Sequence, residues 1–226
     1  MPTTDLPDGR SDSSRAQILR AAARQFADRP YYDVGLDDIL NEAGLSKGAM
    51  YCHFRSKFEL AITIIDQHMA NARVASEQLL ARQLSGLETL IDFSFLSAMQ
   101  HMTDDSARAA SRLVQSVGWS GGARERLVDG WIDMLAAAAA RAIGEGDLDP
   151  RWDSRDVALL AASMTIGLCS TSDPDDPQRF LNDVEKSCEL MLAGLLVPGR
   201  LEYFQQFLRR RTALAVSARL SQASGS

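Results

Sequence analysis

At 226 residues, 46% hydrophobic and 24% charged with only 7% aromatic, the chain has the composition of one or two ordinary globular domains rich in helix-forming residues. That excludes bulk disorder, and the longest apolar stretches, 134–140 and 158–169, fall well short of the roughly 20 residues a bilayer-spanning helix needs. The net charge of −6 argues against a chain that is basic throughout, yet residues 1–57 are charge-balanced, so the acidic excess lies downstream of them.

The opening stretch MPTTDLPDGRSDSS has no apolar core of signal-peptide length and carries acids where a basic region would sit, so 1–12 is expected to be a flexible tail. Cys52, Cys169 and Cys188 form an odd set without CxxC spacing, which favours reduced thiols over disulfides or a zinc site. The protein is expected to be soluble and cytoplasmic.

From 15 to 28, Ile18, Leu19, Ala22 and Phe26 recur at spacings of three and four, the period of an amphipathic helix, with Ser13 or Ser14 as its cap and Pro30 beyond its end. A short turn, YYDVG, precedes a second helix over 36–43, with Leu36, Ile39, Leu40 and Ala43 on one face and acids in its first turn. Gly44-Leu45 reverses the chain. Ser46 then caps a third helix running to about His53, with Met50 and Phe54 pointing inward. Ser56 and Glu59 have the spacing of a capping box and open a long fourth helix through Leu60, Ile64, Ile65, Met69 and Val74.

The same period recurs over 86–102, 106–117, 122–143, 154–170, 177–196 and 202–220, with breaks at TDD, GWSGG, GEGDLDP, TSDPDDP and VPG. About ten helices and no strand are predicted: an all-α chain, with a segment of short helices over 13–57 and a longer helical domain over 58–226. The alanine run at 136–140 suits close helix packing. Arg209, Arg210 and Arg211 read as a solvated face of the last helix.

Two short helices joined by a tight glycine turn describe a helix-turn-helix, whose last helix enters the major groove with its N-terminal residues toward base edges. In GLSKGAMYCHF, Lys47 can reach a guanine edge or a phosphate, and Gly48 and Ala49 keep the surface low. Tyr51 shares a face with Lys47 and can donate to a phosphate, and His53 and Lys57 flank the groove.

The stretch VGLDDILNEAGLSKGAMYCHFRSKFEL, residues 34–60, resembles the DNA-binding segment of TetR-family regulators, and the match extends over 15–60. The resemblance implies that Lys47, Ala49, Tyr51 and His53 belong to the recognition helix, with Tyr51 and Lys57 on phosphates; Ser46, as its cap, and Gly48, as its low surface, join the DNA-binding set. Many members carry a phosphate-binding threonine before the second helix. Here Gly35 stands in its place, and only its backbone N–H could substitute.

The resemblance further implies a helical effector domain that dimerises through its last two major helices, 154–170 and 177–196, whose sequences ALLAASMTIGLC and LMLAGLLV need covering on more than one face. Burial within one chain is the alternative. A dimer would read a pseudo-palindromic operator in double-stranded DNA. Within that domain Phe93, Leu96, Met99, Gln115, Val117, Trp119, Trp131, Met134, Leu135, Met164 and Thr165 are candidates to line a small-molecule cavity, though such a stripe is equally the signature of plain core. KGAMYCHF, SGLETLIDFSF and the placement of Trp131 resemble the γ-butyrolactone-receptor branch, whose members set such a tryptophan against the signal molecule. No arginine excess lines these helices, which favours a neutral effector.

No catalytic or metal constellation is evident. His53, His68 and His101 are scattered, and neither HExxH nor GxSxG occurs, so no enzyme activity, metal or cofactor is expected. The competing reading is a helical adaptor that binds a protein partner and no DNA.

Overall fold

The computed structural model describes residues 8–117, 123–173 and 176–223 and, within them, all side chains except those of 8–12, 80, 123–128, 222 and 223. In chain order the helices are α1 (Asp8–Asp28), α2 (Leu36–Ala43), α3 (Lys47–Tyr51), α4 (Lys57–Leu80), α5 (Gly86–Thr103), α6 (Asp105–Val117), α7 (Ala123–Gly144), α8 (Ser154–Thr171), α9 (Pro177–Leu195) and α10 (Leu201–Ala223). The described residues contain no strand, so the chain is all-α as its periodicity predicts. None of these helices is long and apolar enough to cross a membrane.

Two compact units divide the chain. The first holds α1, α2, α3, the part of α4 up to Ala70, and α6. Its core is built from Ile18, Phe26, Ile39, Met50, Phe54, Leu60 and Ile65, all within 2% of full burial. Met50 and Phe54, spaced for one helical face, do point inward. This unit is larger than the 13–57 segment anticipated from sequence, because α6 packs along α1. Buried alanines on both helices, Ala22 and Ala23 on one and Ala107, Ala109 and Ala110 on the other, let the backbones approach.

Local chemistry explains the reversals. Gly44 adopts φ 65°, a left-handed conformation that costs glycine little, and its N–H and that of Leu45 donate to Asn41 O and Leu40 O to close α2. Ser46 caps α3, its Oγ accepting from Ala49 N at 3.2 Å. Three details depart from the expectation. Helix α1 begins at Asp8, inside the stretch read as a tail. A 3-10 turn, Tyr31–Asp33, fills the link before α2. At the start of α4, Ser56 Oγ accepts from Glu59 N at 3.1 Å, but the Glu59 carboxylate reaches one residue further back, to Arg55 N at 2.7 Å.

The second unit comprises the rest of α4, then α5 and α7–α10. Leu87, Ile91, Phe95, Ala139, Ala142, Phe180, Cys188, Leu192, Phe204 and Leu208 form one continuous core. The alanine run on α7 allows α5 to begin almost in contact with its backbone. A β-carbon on Gly86 would lie 2.4 Å from both Ala138 O and Ala142 N. The same junction is tied by Gly86 N donating to Glu145 Oε2 at 2.6 Å and by Arg141 donating to Leu84 O. An isolated bridge between Leu148 and Leu196 joins the segments after α7 and α9, with Asp149 N donating to Leu195 O and Val197 N to Asp147 O. On α8 and α9 the inner faces are buried, while Leu159, Leu160 and, at 79% exposure, Leu190 face outward.

Candidate nucleic-acid interface and effector cavity

Helix α3 presents a compact set of groups at the surface of the first unit. Lys47 and Gly48 are exposed, Tyr51 is 58% exposed, and no atom but Ser46 Oγ, at 3.8 Å, lies near a β-carbon placed on Gly48. His53 is half-buried, its ring tilted against Phe54. Ala49 is half-buried, and Cys52 is exposed at the end of the helix. Met50 anchors the whole turn in the core.

Lys47 is already engaged. Its Nζ lies 2.8 Å from Asp37 Oδ1 on α2, and that hydrogen bond and charge raise the lysine's pKa, with Tyr51 adding to the effect. Asp37 was read from sequence only as an acid complementing the start of α2. The pairing joins residues ten apart on two helices, and only the turn geometry brings them together.

Two residues expected to face DNA do other work. The Gly35 N–H, proposed as the substitute for the missing threonine, donates to Asp38 Oδ2 at 3.0 Å. That bond, with Arg29 as the second donor, holds the Asp38 carboxyl below its ordinary pKa. Lys57 turns inward. Its Nζ donates to Tyr31 O and Val34 O, each at 2.9 Å, and sits 4.3 Å from the Tyr31 ring centroid. Burial lowers its pKa. It straps the start of α4 to the 3-10 turn ahead of α2, a role its sequence position does not disclose.

In the second unit Phe93, Met134 and Leu135 line a small apolar cavity of about 20 Å³ together with Ser76, Leu79, Thr89 and Ala138, the last four not foreseen from sequence. Its polar groups are satisfied locally. Ser76 Oγ donates to Ala72 O, and Thr89 Oγ1 donates to Ser85 O while accepting from Arg141. Trp131 packs edge-on against Phe93, centroids 5.5 Å apart, and its indole Nε1 is buried without an acceptor. An unpaired donor of this kind costs free energy until something supplies an oxygen.

The remaining candidates disperse. Met164 packs at the edge of the core. Thr165 is buried, its hydroxyl donating to Ala161 O and lying 3.5 Å from Ser94 Oγ. Leu96 and Met99 line a separate groove. Gln115 and Val117 belong to α6 and hence to the first unit, Gln115 exposed and Val117 buried. Trp119 lies outside the described residues. No cluster of three or more metal-ligating side chains occurs among the described residues.

Residues 18–64, which contain the whole α2–α3 reversal, match the model of bacterial regulatory proteins of the tetR family. The chain carries a tetR-family DNA-binding segment. It is 43% identical over 60 residues to the transcriptional activator FasR of Mycolicibacterium smegmatis, covering 26% of this chain and 27% of FasR. To the A-factor receptor protein of Streptomyces griseus it is 28% identical over 205 residues, 89% of this chain and 70% of the receptor. Its match thus spans about a quarter of the first relative and most of the second. Among solved structures, the TetR-family protein CprB of Streptomyces coelicolor, in complex with its operator, superposes with a TM-score of 0.74 at 25% identity over 89% of this chain and 97% of CprB. The likeness therefore runs through both units.

Proposed function

We propose that this chain is a cytoplasmic, dimeric tetR-family repressor that reads a pseudo-palindromic operator and is released from it by a small neutral ligand of γ-butyrolactone type. The observation that carries DNA reading is helix α3, a capped and core-anchored turn whose Lys47 and Tyr51 face solvent beside the flat surface of Gly48 and Ala49. Lys47 exchanges Asp37 for a base edge or phosphate, and Tyr51 donates to a phosphate. Ser46 fixes the turn and His53 borders it. Gly35 and Lys57 act within the protein.

Dimerisation through α8 and α9 would cover Leu159, Leu160 and Leu190, which stand unburied in the single chain. The ligand reading rests on the likeness to the A-factor receptor across most of the chain, on the unmatched Trp131 donor, and on the apolar walls from Phe93, Met134 and Leu135. A cavity of about 20 Å³ holds no more than a water, so the effector must favour a conformer in which α5 and α7 part around it. It can shift the protein away from DNA only by binding that conformer more tightly than the operator-bound one. The helical adaptor reading has no use for an exposed Lys47–Tyr51 pair and is not favoured.

The test is selection of genomic fragments by the purified protein at moderate salt, followed by footprinting. A protected pseudo-palindrome, lost in the double variant Lys47→Ala/Tyr51→Ala, is expected. Equal enrichment by wild type and variant would refute the assignment of α3. Titration of acyl γ-butyrolactones against the footprinted site then tests release, and operator affinity unchanged at saturating lactone would refute the ligand class.

A further inference from the structure

A second opening in the same unit has a different character. Helix α4 with the turn that follows it, α5 and α10 each offer it residues at spacings i, i+3, i+4 and i+7, namely 75–82, 92–99 and 211–218, so that three faces converge on one groove of about 320 Å³. The space exists because the stripes carry small residues where packing would call for large ones, Ala75 on α4 and Ala215 and Ala218 on α10. Its size falls at the lower end of the range for small-molecule sites. Leu79 is the one side chain it shares with the lining of the Phe93 cavity.

The groove is charged at one end and, apart from Gln78, apolar along the rest. The charged end gathers Arg82, in the turn just past the end of α4, with the first residues of the stripes on α5 and α10, Asp92 and Arg211. Asp92 is 2% exposed and ion-paired to Arg211, Nε to Oδ1 2.5 Å, so that carboxylate neutralises one guanidinium. Arg82 also lies close enough to act on the Asp92 charge, but it has no ion-pair partner of its own among the described residues. The groove lining therefore carries two guanidinium groups and one carboxylate. Beyond them run Leu79, Phe95, Leu96, Met99 and Leu214 over two helical turns, about 10 Å.

We infer that this groove binds a small amphiphile with a carboxylate head on Arg82 and an unbranched apolar chain lying between α4, α5 and α10. The charge balance selects an anionic head over a neutral or cationic one, and the length of the apolar stripe selects a medium chain. A guanidinium grips a carboxylate through two parallel hydrogen bonds, which a hydroxyl head cannot reproduce. This site is distinct from the proposed effector cavity, and its test needs neither operator nor lactone.

Isothermal titration of the full-length protein with octanoate, and separately with 1-octanol, reads the proposal directly. Octanoate is expected to bind saturably and at least ten-fold more tightly than octanol. Arg82→Gln, a change at an exposed residue, should weaken octanoate about ten-fold and leave octanol unchanged. Ala215→Phe should fill the groove and abolish both, with unfolding curves showing that each variant remains folded. Octanol binding as tightly as octanoate, octanoate binding unaffected by either substitution, or no saturable octanoate binding by the wild type would each overturn the assignment.

Discussion

Replacing Gly86 by alanine is a sharp test of how α5 is seated on α7. The added methyl carbon would meet Ala138 O and Ala142 N at 2.4 Å and Ala142 Cα at 2.9 Å, all backbone atoms of a helix that cannot rotate away as a side chain could. Relief to ordinary contact requires α5 to retreat by about 1 Å, which also stretches the 2.6 Å bond from Gly86 N to Glu145. Overpacking of this kind costs about 1–3 kcal/mol, and with rigid obstacles the upper half of that range is expected. In a chain of this size it corresponds to a fall in Tm of roughly 4–12 °C. Urea unfolding followed by circular dichroism should show a lower midpoint. Gly130→Ala on α7, where a β-carbon meets nothing within 4 Å, serves as the paired control and should stabilise by about 0.5–1 kcal/mol through helix propensity. A Gly86→Ala protein as stable as wild type would refute the close seating. The same retreat would loosen Phe93 against Trp131 and Met134, so this variant should also bind the effector with altered affinity.

Other outcomes follow from the same geometry. Lys47→Gln should weaken operator binding and reduce the salt slope by about one, whereas Lys57→Met should weaken it with the slope unchanged, because Lys57 holds carbonyls and not phosphate; equal slopes for both variants would contradict this. Lys57→Met should also cost about 1–2 kcal/mol of stability in denaturant titration, as two part-buried carbonyls lose their donor. Burial pushes the Cys169 and Cys188 thiols up to about 12, so at pH 8 a thiol reagent should modify the exposed Cys52 rapidly and the other two only on unfolding. Trp131→Phe keeps the ring against Phe93 but removes the lone N–H, and should weaken effector binding about five-fold without changing operator affinity in its absence.

The helices were legible because a 3.6-residue period and capping chemistry are local. Ser46 before α3 and the glycine at the α2–α3 reversal can be read letter by letter. Two kinds of information were not local. The assignment of α6 to the DNA-reading unit depends on its alanine face meeting that of α1, about eighty residues earlier, and nothing in ASRLVQSV announces that partner. Lys47 and Lys57 are chemically identical and equally plausible as phosphate donors. What separates them is two backbone carbonyls within reach of one and a carboxylate on a neighbouring helix within reach of the other. The cavity-lining set divided for the same reason, since Phe93 and Leu96 lie three apart on α5 yet serve different openings.

The Lys47–Asp37 pair bears on how such a protein searches a genome. Random DNA attracts a protein through uncompensated cations that displace condensed counterions, and every specific site competes with millions of such sequences. A reading helix whose lysine is neutralised by its own neighbour, in a segment of balanced charge and a chain of net charge −6, grips arbitrary DNA weakly. On the proposed reading of α3, the lysine would leave its carboxylate only where the groove offered something better. Discrimination is thereby raised by lowering the background and not by tightening the target.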